Sequence, residues 1–100
     1  TGRVDGTRTR DGVRFLGIPY AAALYPDAAF SSPRPHPGWQ GVRPATAAGA
    51  SVLRPALAQR LFPDPIVAGT EALNLNVYAP HRPLTAHDGI GAGAPVLVWL

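Results

Sequence analysis

Five prolines, at positions 26, 33, 35, 37 and 44, interrupt the stretch from Tyr20 to Pro44. Each removes a backbone donor and fixes φ at about −65°. No long helix or central strand fits there, so regular structure has to lie on either side. The same stretch carries Tyr20, Tyr25, Phe30 and Trp39, too many rings for a free linker. It is expected to lie pressed against a folded surface with the rings as anchors.

On the N-terminal side the pattern is that of a hairpin. Gly2 to Thr9 alternates loosely around Val4, Asp11-Gly12 is a strong two-residue turn signal, and Val13 to Ile18 resumes with β-favouring residues. Positive φ at Asp11 and Gly12 would match the twist of the strands, and Pro19 is expected to end the pairing. On the other side, Pro55 suits the first position of a one- or two-turn helix over Ala56 to Leu61. Ala72 to Ala79 alternates, with Leu73, Leu75 and Val77 on one face and Asn74, Asn76 and Tyr78 on the other, which predicts a half-buried strand. Pro80 to Pro95 reads as a polar, glycine-rich loop. Val96-Leu97-Val98-Trp99-Leu100 reads as a strand buried on both faces, of the kind found inside parallel sheets.

One hundred residues is the size of one small domain and excludes a multidomain enzyme within them. Of 46 apolar residues, 17 are alanine, so the core available to the chain is thin. The chain opens on Thr1 and stops on its most apolar run, from which we expect a piece of a longer polypeptide. The absence of cysteine excludes a disulfide scaffold and thiolate metal or redox chemistry.

All nine basic residues are arginine, giving a net charge of +3. They are spread along the chain, the tightest group being Arg8-Thr9-Arg10, and a nucleic-acid footprint needs them gathered on one face. Arginine without lysine, beside abundant alanine and proline, reads as the codon bias of a GC-rich genome. No apolar run approaches the roughly 18–20 residues of a membrane helix. The first residues are not a signal peptide, which leaves cytoplasmic and secreted locations both open for a soluble protein.

Candidate chemistry is sparse. Ser31, Ser32 and Ser51 are not in Gly-x-Ser-x-Gly, the turn that exposes a hydrolase nucleophile. His36, His81 and His87 read as solvent-exposed, and His81 and His87 lack the spacing that places two imidazoles on one helix face for a metal. Gly89-Ile90-Gly91-Ala92-Gly93 precedes a strand where a phosphate loop would follow one. Pro80-His81-Arg82-Pro83 is a single short proline motif. Glu71 has no partner acid nearby, so a role in pairing an arginine or capping backbone donors is expected of it. No catalytic residue, cofactor or metal ligand is expected among residues 1–100.

Four stretches, in order, resemble the type-B carboxylesterase/cholinesterase family of α/β-hydrolases. Phe15-Leu16-Gly17-Ile18-Pro19-Tyr20-Ala21 resembles F-x-G-I-P-Y-A. Phe30-Ser31-Ser32-Pro33 with Trp39-Gln40-Gly41-Val42-Arg43-Pro44-Ala45-Thr46 resembles R-F-x-x-P…W-x-G-V-R-D-A-T. Glu71 to Pro80 resembles D-C-L-Y-L-N-V-Y-x-P, and Pro95-Val96-Leu97-Val98-Trp99 resembles P-V-x-V-W. The resemblance implies an α/β fold, with residues 1–100 supplying the N-terminal antiparallel strands and first central strand of an α/β-hydrolase sheet, mostly β and loop. It also implies a serine carboxylesterase acting on small-molecule esters, with nucleophile, acid and histidine beyond residue 100.

There are departures from the family pattern. Ala72 stands where the family has a cysteine, and no tryptophan lies between Val52 and Thr70, which argues against choline esters. Ala29 and Thr70 stand where many members carry a paired arginine and acid. These departures imply a divergent bacterial member. A non-catalytic cholinesterase-like adhesion or binding protein, or an unrelated small β-rich binding module, are the alternatives.

Overall fold

The computed structural model describes residues 2–23, 30–52, 54–81 and 95–99. Six elements run in the order β1 (Arg3–Asp5), β2 (Thr7–Arg8), β3 (Val13–Pro19), β4 (Val42–Pro44), α1 (Ala56–Leu61) and β5 (Asn74–Ala79). The first expected strand is broken at Gly6 into β1 and β2, which serve different sheets. β1 pairs in parallel with β4, Arg3 facing Val42 and Asp5 facing Pro44. β2, β3 and β5 form an antiparallel sheet with β3 in the middle.

The hairpin between β2 and β3 forms as expected, with Arg8 opposite Val13, but its turn differs. Neither Asp11 nor Gly12 adopts a positive φ. The Thr9 N–H (2.7 Å) and the Thr9 hydroxyl (3.1 Å) both donate to the Gly12 carbonyl, so the two residues at the tip are Arg10 and Asp11, one position earlier than Asp11-Gly12. Gly12 is needed for another reason: it is buried, and a methyl group there would overlap the Ala79 carbonyl at the end of β5.

Pro19 does not end the pairing. It stays in register opposite Asn74, and the Tyr20 N–H donates to the Leu73 carbonyl at 3.1 Å. A proline without a donor is tolerated where the ladder does not call on its nitrogen.

β3 and β5 change register between Phe15, opposite Val77, and Ile18, opposite Leu75. Leu16 and Gly17 together oppose Asn76, which is a β-bulge. Both N–H groups of the bulge find acceptors: Leu16 bonds to the Ala45 carbonyl at 2.8 Å, and Gly17 to Asn76 Oδ1 at 3.0 Å. Gly17 sits at φ 65°, a left-handed value that disfavours a side chain, and Gly49 packs against the place a Cβ would occupy.

The expected half-buried strand is present over Asn74–Ala79, two residues shorter at its start. Its expected alternation of burial is not observed: Leu75 (41%) and Val77 (39%) are exposed together with Tyr78 (73%), whereas Asn74 of the polar face is half-buried, held by its side-chain hydrogen bonds. Among the described residues the buried apolar side chains are Pro19, Ala21 and Ala45. The helix starts at Ala56, with Pro55 as its cap rather than its first residue, and has no buried residue.

Two expectations fail on exposure. Tyr20 and Phe30 are exposed and anchor nothing, whereas Trp39 is half-buried; Tyr25 lies outside the described residues. Val96 to Trp99 are exposed and form no strand. Among the described residues no strand pairs beside them, and apolar composition makes a strand only where a neighbour completes the ladder.

Candidate functional site

Glu71 is the centre of a polar cluster with Arg43 and His36. It lies just ahead of β5, where Asn74 fixes the approach: the Asn74 side-chain amide donates to the Ala50 carbonyl at 2.9 Å and the Glu71 carbonyl at 2.8 Å. Arg43, held in β4, reaches the carboxylate with both terminal nitrogens, Nη1 to Oε1 at 3.5 Å and Nη2 to Oε2. His36 Nε2 meets Oε1 at 3.1 Å. Trp39 completes the group, its ring 5.3 Å from the Arg43 guanidinium and edge-on to the His36 ring at 5.6 Å and 74°. Its indole N–H donates to the Arg3 carbonyl of β1 at 2.7 Å.

The cluster ties the proline-rich arm, β4 and the run into β5 together and borders an open cleft of about 560 Å³. Small residues from Ala48 to Ala50 and from Val67 to Thr70 line most of the rest. Hydrogen bonds from Arg43 and then His36 hold the Glu71 carboxyl below its ordinary value of 4.5, outweighing the opposing effect of burial. Both oxygens of Glu71 are therefore taken by donors. Among the described residues no group of three His, Cys, Asp or Glu side chains is placed to hold a metal ion.

The family model for the carboxylesterase family matches residues 1–100. The chain belongs to the carboxylesterase family. It is 34% identical over 113 residues to the cocaine esterase of Oryctolagus cuniculus, covering 100% of this chain and 20% of that protein. It is 35% identical over 94 residues to the phenmedipham hydrolase of Pseudarthrobacter oxydans, covering 86% and 17%. Among solved structures, a thermophilic PNB esterase superposes with a TM-score of 0.70 at 30% identity, covering 82% of this chain and 17% of that one. The chain thus spans about a fifth of the length of the curated relatives it matches. The strand-and-loop architecture is that of a segment of an α/β-hydrolase, as the resemblance implies.

Within this carboxylesterase segment the candidate residues have structural partners. Glu71 pairs an arginine, as expected. His36 departs from its expected exposure: its side chain is only 13% exposed, because it is wedged between Glu71 and Trp39. Its Nδ1 accepts the Gly38 N–H at 2.9 Å, so neither ring nitrogen is left to act as a general base. Ser51 is a backbone pin, its Oγ accepting the Val67 N–H at 3.1 Å and its N–H donating to the Val67 carbonyl at 2.9 Å. His81 Nε2 bonds to the Arg10 carbonyl at 3.1 Å. His87 and the Gly89–Gly93 run lie outside the described residues. Sequence reading missed the part of His36 and Trp39 in the cluster. The available signal was Pro35-His36-Pro37-Gly38, a turn that holds the imidazole close to its own backbone.

Proposed function

We propose that this chain is the N-terminal portion of a serine carboxylesterase, of bacterial origin, that hydrolyses small-molecule carboxylic esters. It serves as the first part of one α/β-hydrolase domain that continues beyond residue 100. The observation that supports this best is the match of the carboxylesterase family along all of residues 1–100, in a segment whose best-placed histidine and serine are committed to backbone bonds. The reacting groups then come from farther along the polypeptide. A serine attacks the ester carbonyl, a histidine takes its proton and returns it to the leaving alcohol, an acid orients the histidine, and backbone amides hold the oxyanion. The part of residues 1–100 is to build the edge of the sheet on which that machinery is mounted.

The test is hydrolysis of p-nitrophenyl acetate and butyrate by the whole polypeptide that carries these residues, with labelling by a fluorophosphonate. Turnover with a serine-dependent burst is expected there. Residues 1–100 alone should give none above a protein blank. A whole polypeptide that neither turns over ester nor takes the label would instead indicate a fold kept for binding.

A further inference from the structure

The His36 ring has a proton arrangement fixed by its neighbours. Its Nδ1 accepts the Gly38 N–H at 2.9 Å, and a nitrogen that accepts carries no hydrogen. The proton of the neutral ring is therefore on Nε2, where it is donated to Glu71 Oε1 at 3.1 Å. A second proton has one place to go, Nδ1, and there it would point straight at the Gly38 N–H. Two donors cannot share that line, so the ring or the backbone has to move.

The surroundings decide which moves. Among the described residues, the charged groups facing the imidazole are Glu71, from the run into β5, and Arg43, from β4. Arg43 is already engaged in a two-pronged contact with Glu71, so the imidazolium keeps a carboxylate partner and the contact gains charge. Trp39 packs against the ring edge and holds it from the side. The backbone has the freedom that the ring lacks. Gly38 stands at φ 83°, and a glycine crosses between positive and negative φ at little cost. Pro37, with its fixed φ, concentrates the rotation in the peptide joining it to Gly38.

We propose that the Pro35–Gly38 turn is a proton-operated latch. Protonation of His36 at Nδ1 expels the Gly38 amide, and the turning peptide draws Trp39 away from the Arg3 carbonyl of β1. The latch thus couples acidity to the contact between the proline-rich arm and β1. It does not depend on the esterase activity proposed above.

The test uses the whole polypeptide labelled with 15N at glycine, histidine and tryptophan, with the Trp39 indole N–H assigned from Trp39→Phe. At neutral pH, His36 Nδ1 should show as the unprotonated ring nitrogen and the Gly38 amide should be protected. Across the imidazole titration, Gly38 protection, corrected for intrinsic exchange, should fall about tenfold, the equilibrium value of roughly one backbone hydrogen bond. The Trp39 indole resonance should shift with the same midpoint. His36→Asn supplies an oxygen that can accept the Gly38 N–H and has nothing to titrate, so its Gly38 protection should not change with pH. His36→Gln can still donate to Glu71 but offers Gly38 no acceptor close by, and should leave the amide unprotected throughout. The latch is refuted by a Gly38 amide that stays protected through the wild-type titration, by a proton on Nδ1 at neutral pH, or by the same pH step in His36→Asn.

Discussion

Asn76 replaces, with its side chain, a strand hydrogen bond that the Gly17 bulge takes away. Its Oδ1 accepts the Gly17 N–H at 3.0 Å from the strand facing the bulge. A residue read from alternation as one of the polar positions of β5 is in fact the acceptor that lets β3 carry an extra residue without orphaning a donor. Asn76→Ala should cost about 0.5–1.5 kcal/mol, the lower part of the range applying because the site is open to water. Urea denaturation of the whole polypeptide measures it, and an unchanged midpoint would show that water serves Gly17 equally well.

Gly17→Ala should be more costly than Asn76→Ala. The substitution forces a side chain into φ 65° and against the Gly49 backbone at once, and the two penalties together come to about 2–5 kcal/mol. The same denaturation experiment ranks the two variants, and equal destabilisation would mean that the strand can relax into an unbulged register.

Acid should weaken the Glu71 cluster, and the sign follows from the direction of the shift. The folded carboxyl titrates below its ordinary value of 4.5, so its contribution is complete above that value and is lost as pH falls through the lowered one. The stability difference between wild type and Glu71→Gln should be level near neutrality and should shrink as the pH falls below the ordinary value of 4.5 and through the lowered one. Because the Glu71 side chain is 38% exposed, the difference itself is expected to be modest. Denaturation midpoints across that range check it, and a difference that grows in acid would reverse the sign assigned here.

Ser51→Ala removes the hydroxyl acceptor of the Val67 N–H but leaves the Ser51 N–H to Val67 carbonyl bond in place. The expected loss is about 1 kcal/mol, with faster amide exchange concentrated between residues 52 and 67. Arg54→Ala, which breaks an exposed 3.0 Å pair with Asp64, should change stability by less than about 1 kcal/mol. Exchange measured by mass spectrometry separates the two effects.

The parts of the fold legible in the sequence were those governed by local rules. The strand over Asn74–Ala79, the pairing of Thr7–Arg8 with Val13–Arg14 and the short helix after Pro55 each depend on neighbours a few residues apart. The bulge was not legible, because its signal is split between Gly17 and Asn76, which meet only after β3 and β5 pair. Glu71 was readable as a partner for some arginine, but the choice of Arg43 depends on β4, three residues long and hidden among prolines. His36 was misread as exposed because a lone histidine between two prolines carries no periodicity. Val96 to Trp99 misled for the opposite reason: their composition states a preference that only a neighbouring strand can fulfil.

The reciprocal bonds between Ser51 and Val67 make the intervening stretch a cassette. Its entry and exit are fastened to each other, and its helix buries no residue. Changing its length therefore costs only the slow logarithmic growth of loop-closure entropy and does not shift Glu71 or Arg43. Residues 52–66 are accordingly a place where this chain can gain or lose sequence, and where a foreign peptide can be grafted, while the strands on either side keep their register.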